Sequence, residues 1–289
     1  VPNSIYGSRG LPMQVHLPSD LKASNVFASN VATYVVDVNG ATWGLGFSPF
    51  ISGVCCSYLD TFTAVSSFKS IKMRDVQADF NGNIYGLSTS GVLYSAYASG
   101  TAQPLIALSG VTIQNFAIQQ NPSNGTNRID AVDINGNLWE VSTAANSIAT
   151  QTTVSNISQL AWNGAAATVT TTSGDVYYSV NGATDFGLIA NPANVTIVDA
   201  MPANGIIAKD SLNQLWVANP SQSGSTVIMS TWTKFAGQLL GQATAVDQPF
   251  LQHRGSRYIQ FASGNLLNIV DSYWSDNAGR CGQPPTTTG

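Results

Sequence analysis

The sequence predicts an all-β fold, a six-bladed β-propeller with four antiparallel strands per blade, and three observations carry that prediction. A phrase recurs six times: a short apolar stretch, a tight turn of the Asn-Gly or Ser-Gly kind (Leu212-Asn213 in the fifth copy), and an aromatic residue three positions on, whose slot Leu267 fills in the sixth. The turn positions 40, 91, 136, 174, 213 and 264 lie 51, 45, 38, 39 and 51 residues apart, about the length of one propeller blade. The intervening segments carry hairpin signals and almost no helical periodicity. A seven-bladed count is the rival, because Asn81-Gly82 reads as a turn of its own, but it stands only nine residues before the next turn.

The elements follow in order. Residues 11–18 precede the first strand of repeat one, around 23–28, and are expected to complete the last blade and so close the ring, which removes two exposed sheet edges. The fourth repeat lays out as strands 159–162, 167–172, 175–180 and 187–190, joined at Asn163-Gly164, Ser173-Gly174 and Asn181-Gly182. Third strands at 137–141 and 214–218 are apolar on both faces, as strands packed between two neighbouring blades should be. Residues 1–276 then form a single domain. Residues 277–289 hold Cys281, Pro284, Pro285 and a threonine run, the composition of a tail or the start of a linker.

Charged residues make up only 9% of the chain while hydrophobic residues make up 44%, so Ser, Thr, Asn and Gln must solvate most of the surface. A formal net charge of -4 and a pI near 4.9 give no overall electrostatic footprint for nucleic acid. No apolar run reaches the length of a membrane-spanning helix. The chain starts at Val1-Pro2 without methionine, as a processed secreted protein or a trimmed chain would. Three sequons, at Asn124, Asn156 and Asn194, agree with secretion and glycosylation. In a closed ring the first and last blades are neighbours, so a disulfide from Cys55 or Cys56 to Cys281 is expected, against free thiols or a Cys55–Cys56 bridge. No metal and no cofactor is expected, since three cysteines beside distant histidines make no ligand set.

The segment Asp79-Phe80-Asn81-Gly82-Asn83-Ile84-Tyr85-Gly86-Leu87-Ser88-Thr89-Ser90-Gly91-Val92-Leu93-Tyr94 resembles a tectonin repeat, which reads as a turn, Val-Trp-Gly-Val, a turn with glycine, then Ile-Tyr. The resemblance implies a propeller lectin that binds glycans at sites repeated from blade to blade and serves recognition or defence.

The candidate sugar-binding residues are the aromatic series Trp43, Tyr94, Trp139, Tyr177 and Trp216, whose rings would stack on pyranose faces. Beside them stand Asp37, Asp133 and Asp210, three residues before the turn glycine or its asparagine, with Ser88 and Thr171 in the same slot. The plainer alternative is that the rings pack against the next blade and the Asp, Ser and Thr side chains cap the turn amides. Asp133-Ile134-Asn135-Gly136-Asn137 lacks the glycine position and the distal glutamate of a calcium loop.

Catalysis would need a convergent acid, base or nucleophile. His16 and His253 are the only histidines, and with Asp247 they form the one grouping worth weighing, without a spacing that demands chemistry. The expected function is therefore that of a secreted, non-catalytic carbohydrate-binding protein. A protein-binding or structural surface module is the alternative, and a six-bladed hydrolase or lyase the third reading.

Overall fold

The computed structural model describes residues 18, 21–28, 32–47, 51–52, 58–79, 83–97, 100–120, 127–142, 148–162, 166–180, 186–203, 205–223, 226–229 and 231–234, and the backbone of 256–260 and 266–270. Five sheets of four antiparallel strands follow one another along the chain. The first holds β1 (Ala23–Ala28), β2 (Ala32–Asp37), β3 (Thr42–Phe47) and β4 (Tyr58–Ala64). The second holds β5 (Met73–Ala78), β6 (Asn83–Ser88), β7 (Leu93–Tyr97) and β8 (Gln103–Pro104). The third is β9 (Ile113–Gln120), β10 (Asn127–Asp133), β11 (Leu138–Ser142) and β12 (Ala149–Gln151). The fourth is β13 (Ile157–Trp162), β14 (Ala166–Thr171), β15 (Val176–Val180) and β16 (Gly187–Ile189), each within two residues of the strands expected from the sequence.

The fifth sheet departs from the pattern. Its strands β17 (Ile197–Ala203), β18 (Gly205–Asp210) and β19 (Leu215–Ala218) are followed by a separate hairpin, β20 (Pro220–Ser223) with β21 (Thr226–Met229), before β22 (Thr233–Lys234) completes the blade. A last pair, β23 (Ser256–Gln260) with β24 (Leu266–Val270), stands where the sixth repeat is expected. The closing strand at 11–18, apart from residue 18, lies outside the described residues, as does the tail at 277–289.

First strands adjoin first strands, β1 beside β5, β5 beside β9, β9 beside β13 and β13 beside β17, so they form the inner ring. Between successive sheets lie separate apolar cores. Tyr34, Val36, Phe68, Met73 and Val76 fill the first interface, Leu87, Phe116 and Ile129 the second, Leu138, Leu160 and Val169 the third, and Val176, Ile197 and Ala208 the fourth. The strands are apolar on both faces because each sheet is covered on both sides. In β11, Leu138 enters the third core while Val141 and Trp139 serve the second.

In the five described four-stranded sheets, the second-to-third-strand hairpin is a three-residue turn closed by a residue in the left-handed region. In the first blade Gly40 N–H donates to Asp37 O at 2.9 Å and Asp37 N–H to Ala41 O at 2.9 Å, with Gly40 at φ 82°. The same pattern recurs at Gly91, Gly136 and Gly174, and at Asn213 with φ 59°. This is a type I turn with a one-residue bulge, so positive φ is needed only at the last position. The preceding residue, Asn39, Ser90, Asn135 or Ser173, keeps φ negative.

The turn also fastens one blade to the next. The carbonyls of Gly40, Gly91 and Gly136 accept the N–H groups of Met73, Ile113 and Ile157 at 2.8, 2.8 and 3.0 Å, each the first residue of the following blade. A Cβ on Gly91 would lie 2.5 Å from Thr112 Cγ2 and 3.1 Å from Ile113 O, so glycine is required there by close approach as well as by φ.

Candidate functional site

Antiparallel connectivity places the second-to-third-strand turns and the links from each fourth strand to the next blade on one face of the ring. The first-to-second and third-to-fourth links lie on the other. Every aspartate and aromatic proposed from the sequence sits at or beside the first of these faces.

The Asp37 carboxylate accepts from the N–H groups of Asn39 and Ala41 through Oδ1, at 2.8 and 2.9 Å, and from Trp43 Nε1 through Oδ2 at 3.1 Å. Asp133 accepts from Asn135 and Asn137 N–H at 2.8 and 2.9 Å, from Asn137 Nδ2 at 3.0 Å, and from Trp139 Nε1 at 3.0 Å. Asp210 repeats the arrangement with Leu212, Gln214 and Trp216 at 2.8, 2.8 and 2.9 Å. One oxygen caps the turn and the other holds the indole six residues on.

Burial pushes the Asp37 carboxyl up, but the bonds from Trp43, Ala41, Asn39 and Gly40 outweigh it and hold the group below the ordinary carboxylate range. The same balance, with Trp139, Asn137 and Asn135 as donors, lowers Asp133. These carboxylates are ionised and engaged by the protein's own donors.

Where the slot holds a hydroxyl, the partner is tyrosine. Ser88 Oγ accepts from Val92 N–H at 3.0 Å and Thr171 Oγ1 from Asp175 N–H at 3.0 Å, ahead of Tyr94 and Tyr177. A hydroxyl cannot span both the turn amide and an indole, and tyrosine has no ring N–H to satisfy. The chain pairs Asp with Trp three times and Ser or Thr with Tyr twice. That pairing was visible in the sequence as two lists with one spacing, and it marks the structural unit that the aromatics belong to.

All five rings are half-buried. Tyr94, Trp139, Tyr177 and Trp216 pack on the first, second, third and fourth interblade cores, respectively. Three of the five turns carry an exposed apolar residue, and those beside Tyr94 and Tyr177 carry Thr89-Ser90 and Thr172-Ser173 instead. Val38, Ile134 and Leu212 sit in the turns at 61, 62 and 72% exposure, and Ile106, in the link between the second and third blades, is 87% exposed.

The inner ring holds a second polar system. Asn25 Nδ2 donates to Asp75 Oδ1 at 2.8 Å, Gln77 Nε2 donates to Asp75 Oδ2 at 3.0 Å and to Phe116 O at 2.9 Å, and Arg74 Nη2 donates to Ile113 O at 2.5 Å. These bonds run from blade one through blade two to blade three. Arg128 continues the series: it pairs with the fully buried Asp130 at 2.9 Å, donates to Ser179 Oγ at 2.7 Å, and stacks its guanidinium 5.3 Å from the Phe186 ring centroid. Burial raises the Asp130 carboxyl, with Arg128 and Gln119 acting against it.

Asn156 and Asn194 are exposed, with φ 58° and 61°, where the chain enters the fourth and fifth blades. Asn124, Cys55, Cys56, Cys281, His16, His253 and Asp247 lie outside the described residues.

No protein-family model and no curated protein matches the sequence. Solved structures do. Human WBSCR16 superposes with a TM-score of 0.67 at 11% identity, covering 87% of this chain and 78% of that one. The yeast RCC1 protein Prp20, solved bound to Kap60, gives 0.62 at 11% identity, covering 84% and 68%. YCF48 bound to a D1 peptide gives 0.55 at 16% identity, covering 90% and 82%.

These are β-propellers. At such identities the likeness establishes the fold, and the chain is an all-β propeller.

Proposed function

We propose that the chain is a protein-binding propeller whose docking surface is the face carrying the second-to-third-strand turns. The observation that carries this reading is the row of turn and link residues Val38, Ile106, Ile134 and Leu212, apolar and more than half exposed on one face. Apolar side chains grouped on one face beside half-buried aromatic rings suit a protein interface core. Structural neighbours supply a precedent: Prp20 is solved with Kap60 and described by its binding to Gsp1p and histones, and YCF48 is solved with a D1 peptide.

This reverses the order in which the sequence ranks glycans and proteins. A sugar site needs polar groups free to bond hydroxyls beside a stacking ring. Here the three candidate aspartates spend both oxygens on turn amides and indoles, and the indole N–H groups are spent in return. A non-catalytic role in an extracellular setting, with Asn156 and Asn194 glycosylated, belongs to the same proposal.

The test compares two double variants as affinity baits. Ile134→Asp/Leu212→Asp alters the proposed face, and Tyr58→Asp/Ile148→Asp places the same charges where two fourth strands begin, at the other face. A partner retained by the parent and the second variant and lost by the first supports the reading. A defined glycan on an array, bound by the parent and lost in Trp216→Phe at unchanged thermal stability, overturns it.

A further inference from the structure

The acidic pI conceals a basic surface. Of the acidic residues described, only Asp60 and Asp175 are exposed, because the rest cap turns or line the interior. Lys22, Lys69, Lys72, Arg74 and Lys234 are exposed. Three of those five, Lys22, Lys69 and Lys72, lie on the proposed docking face near the first blade's turn, while the Arg74 guanidinium turns to Ile113 O of the third blade.

Their grouping is fixed by the backbone. Val38 N–H donates to Lys22 O at 2.9 Å, which sets Lys22 beside the Val38–Gly40 turn. Met73 N–H donates to Gly40 O, and Lys72 Cβ lies 3.1 Å from where a side chain on Gly40 would begin. Lys69 ends the short 3-10 turn Ser66–Phe68, anchored by the fully buried Phe68, three residues before Lys72. Arg74 follows in β5, its carbonyl 3.3 Å from Asn25 Nδ2 of the first blade.

Among the described residues, the acids near the three lysines have other partners. Asp37 is spent on its turn and Trp43, Asp75 on Asn25 and Gln77, and Lys22, Lys69 and Lys72 make no ion pair among the described residues.

From this we infer that the Lys22, Lys69 and Lys72 cluster, beside the exposed Val38, docks an acidic segment of a partner protein. The inference rests on the protein-binding reading and specifies its chemistry. Charge complementarity selects an acidic partner, and the exposed valine beside the lysines favours a peptide with apolar residues over a nucleic-acid backbone. The patch is also compact, whereas nucleic acid is tracked by an extended basic stripe.

The probe is a fluorescein-labelled dodecapeptide of acidic pairs interspersed with leucines, read by anisotropy. Controls are its glutamine counterpart, its lysine counterpart and dodecathymidylate. The parent should bind the acidic peptide in preference to all three, more weakly as salt rises. Lys22→Gln/Lys69→Gln/Lys72→Gln should weaken it about tenfold, the sum of a few exposed charge pairs, while Lys234→Gln leaves it unchanged.

Both variants should melt with the parent, since every substituted side chain is exposed. Equal binding by the triple variant, equal binding of the glutamine peptide, or tighter binding of dodecathymidylate overturns the inference. A partner captured through Ile134 and Leu212 that holds the triple variant as well as the parent overturns it too, and leaves the protein-binding reading standing.

Discussion

Replacing Asp133 with alanine removes the carboxylate that caps the third blade's turn and leaves only its backbone bonds. The two turn amides, of Asn135 and Asn137, are near solvent and regain water, so each lost bond costs about 0.5–1 kcal/mol. Trp139 Nε1 is half-buried over the second core and loses its acceptor at 3.0 Å, which costs about 1–3 kcal/mol more. The expected total is about 2–5 kcal/mol. For a chain of this size that corresponds to a fall in Tm of about 4–20 °C.

Differential scanning calorimetry gives the shift, and a cycle isolates its origin. Asp133→Asn keeps an oxygen for the turn amides but turns an NH2 toward the indole N–H. Its cost should therefore shrink in a Trp139→Phe background, which has no N–H to leave unpaired. The pH dependence has a definite sign. Because the folded-state pKa of Asp133 is depressed, its contribution is present above the unfolded value near ~3.9 and is lost as pH falls through the folded value. The deficit of the alanine variant should hold from pH 7 to 5 and narrow below about pH 4. A loss under about 0.5 kcal/mol, or an asparagine penalty equal in both backgrounds, would refute the reasoning.

Three further outcomes follow from the same geometry. Gly91→Ala should cost about 2–4 kcal/mol from left-handed strain and the clash with Thr112 and Ile113, whereas Asn213→Gly, at φ 59°, should change stability by less than about 0.5 kcal/mol; urea melts compare them. Arg128→Met should cost about 3–5 kcal/mol by leaving Asp130 buried without its cation. Asp130 already has a raised folded-state pKa, and stability from such a group is lost as pH rises through that value, so the Arg128→Met deficit should be larger at pH 8 than at pH 5 in parallel melts.

The architecture was legible because its unit is local. Turn glycines, the aromatic three residues on and the interval between turns all follow from one hairpin packed between two neighbours. Even the two long intervals have a reading: both 51-residue spacings carry extended third-to-fourth-strand links, residues 48–57 in the first blade and the β20–β21 hairpin in the fifth. That hairpin reaches back to blade four, where Gln222 Oε1 accepts from Val180 N–H at 2.7 Å, and just past it Trp232 Nε1 donates to Ala190 O at 2.8 Å.

What the sequence hid is non-local. Met73, Ile113 and Ile157 bond the preceding blade's turn carbonyl through backbone atoms that no side chain announces. Asp37, Asp133 and Asp210 were weighed as sugar ligands or as caps; the residue six positions on, with its indole N–H, gives them a second task. Net charge misleads most, since it counts Asp75 and Asp130 in the interior equally with Lys22 and Lys72 outside. Only the fold shows which charges meet solvent.

The most direct measurement is hydrogen–deuterium exchange of the chain alone and with its captured partner. Docking on the turn face predicts slowed exchange at the Val38–Gly40, Ile134–Gly136 and Leu212–Asn213 turns and at Lys69–Lys72, with Tyr58 and Ile148 on the other face unchanged. Protection confined to Tyr58 and Ile148, with the turns exchanging as in the free chain, would contradict it.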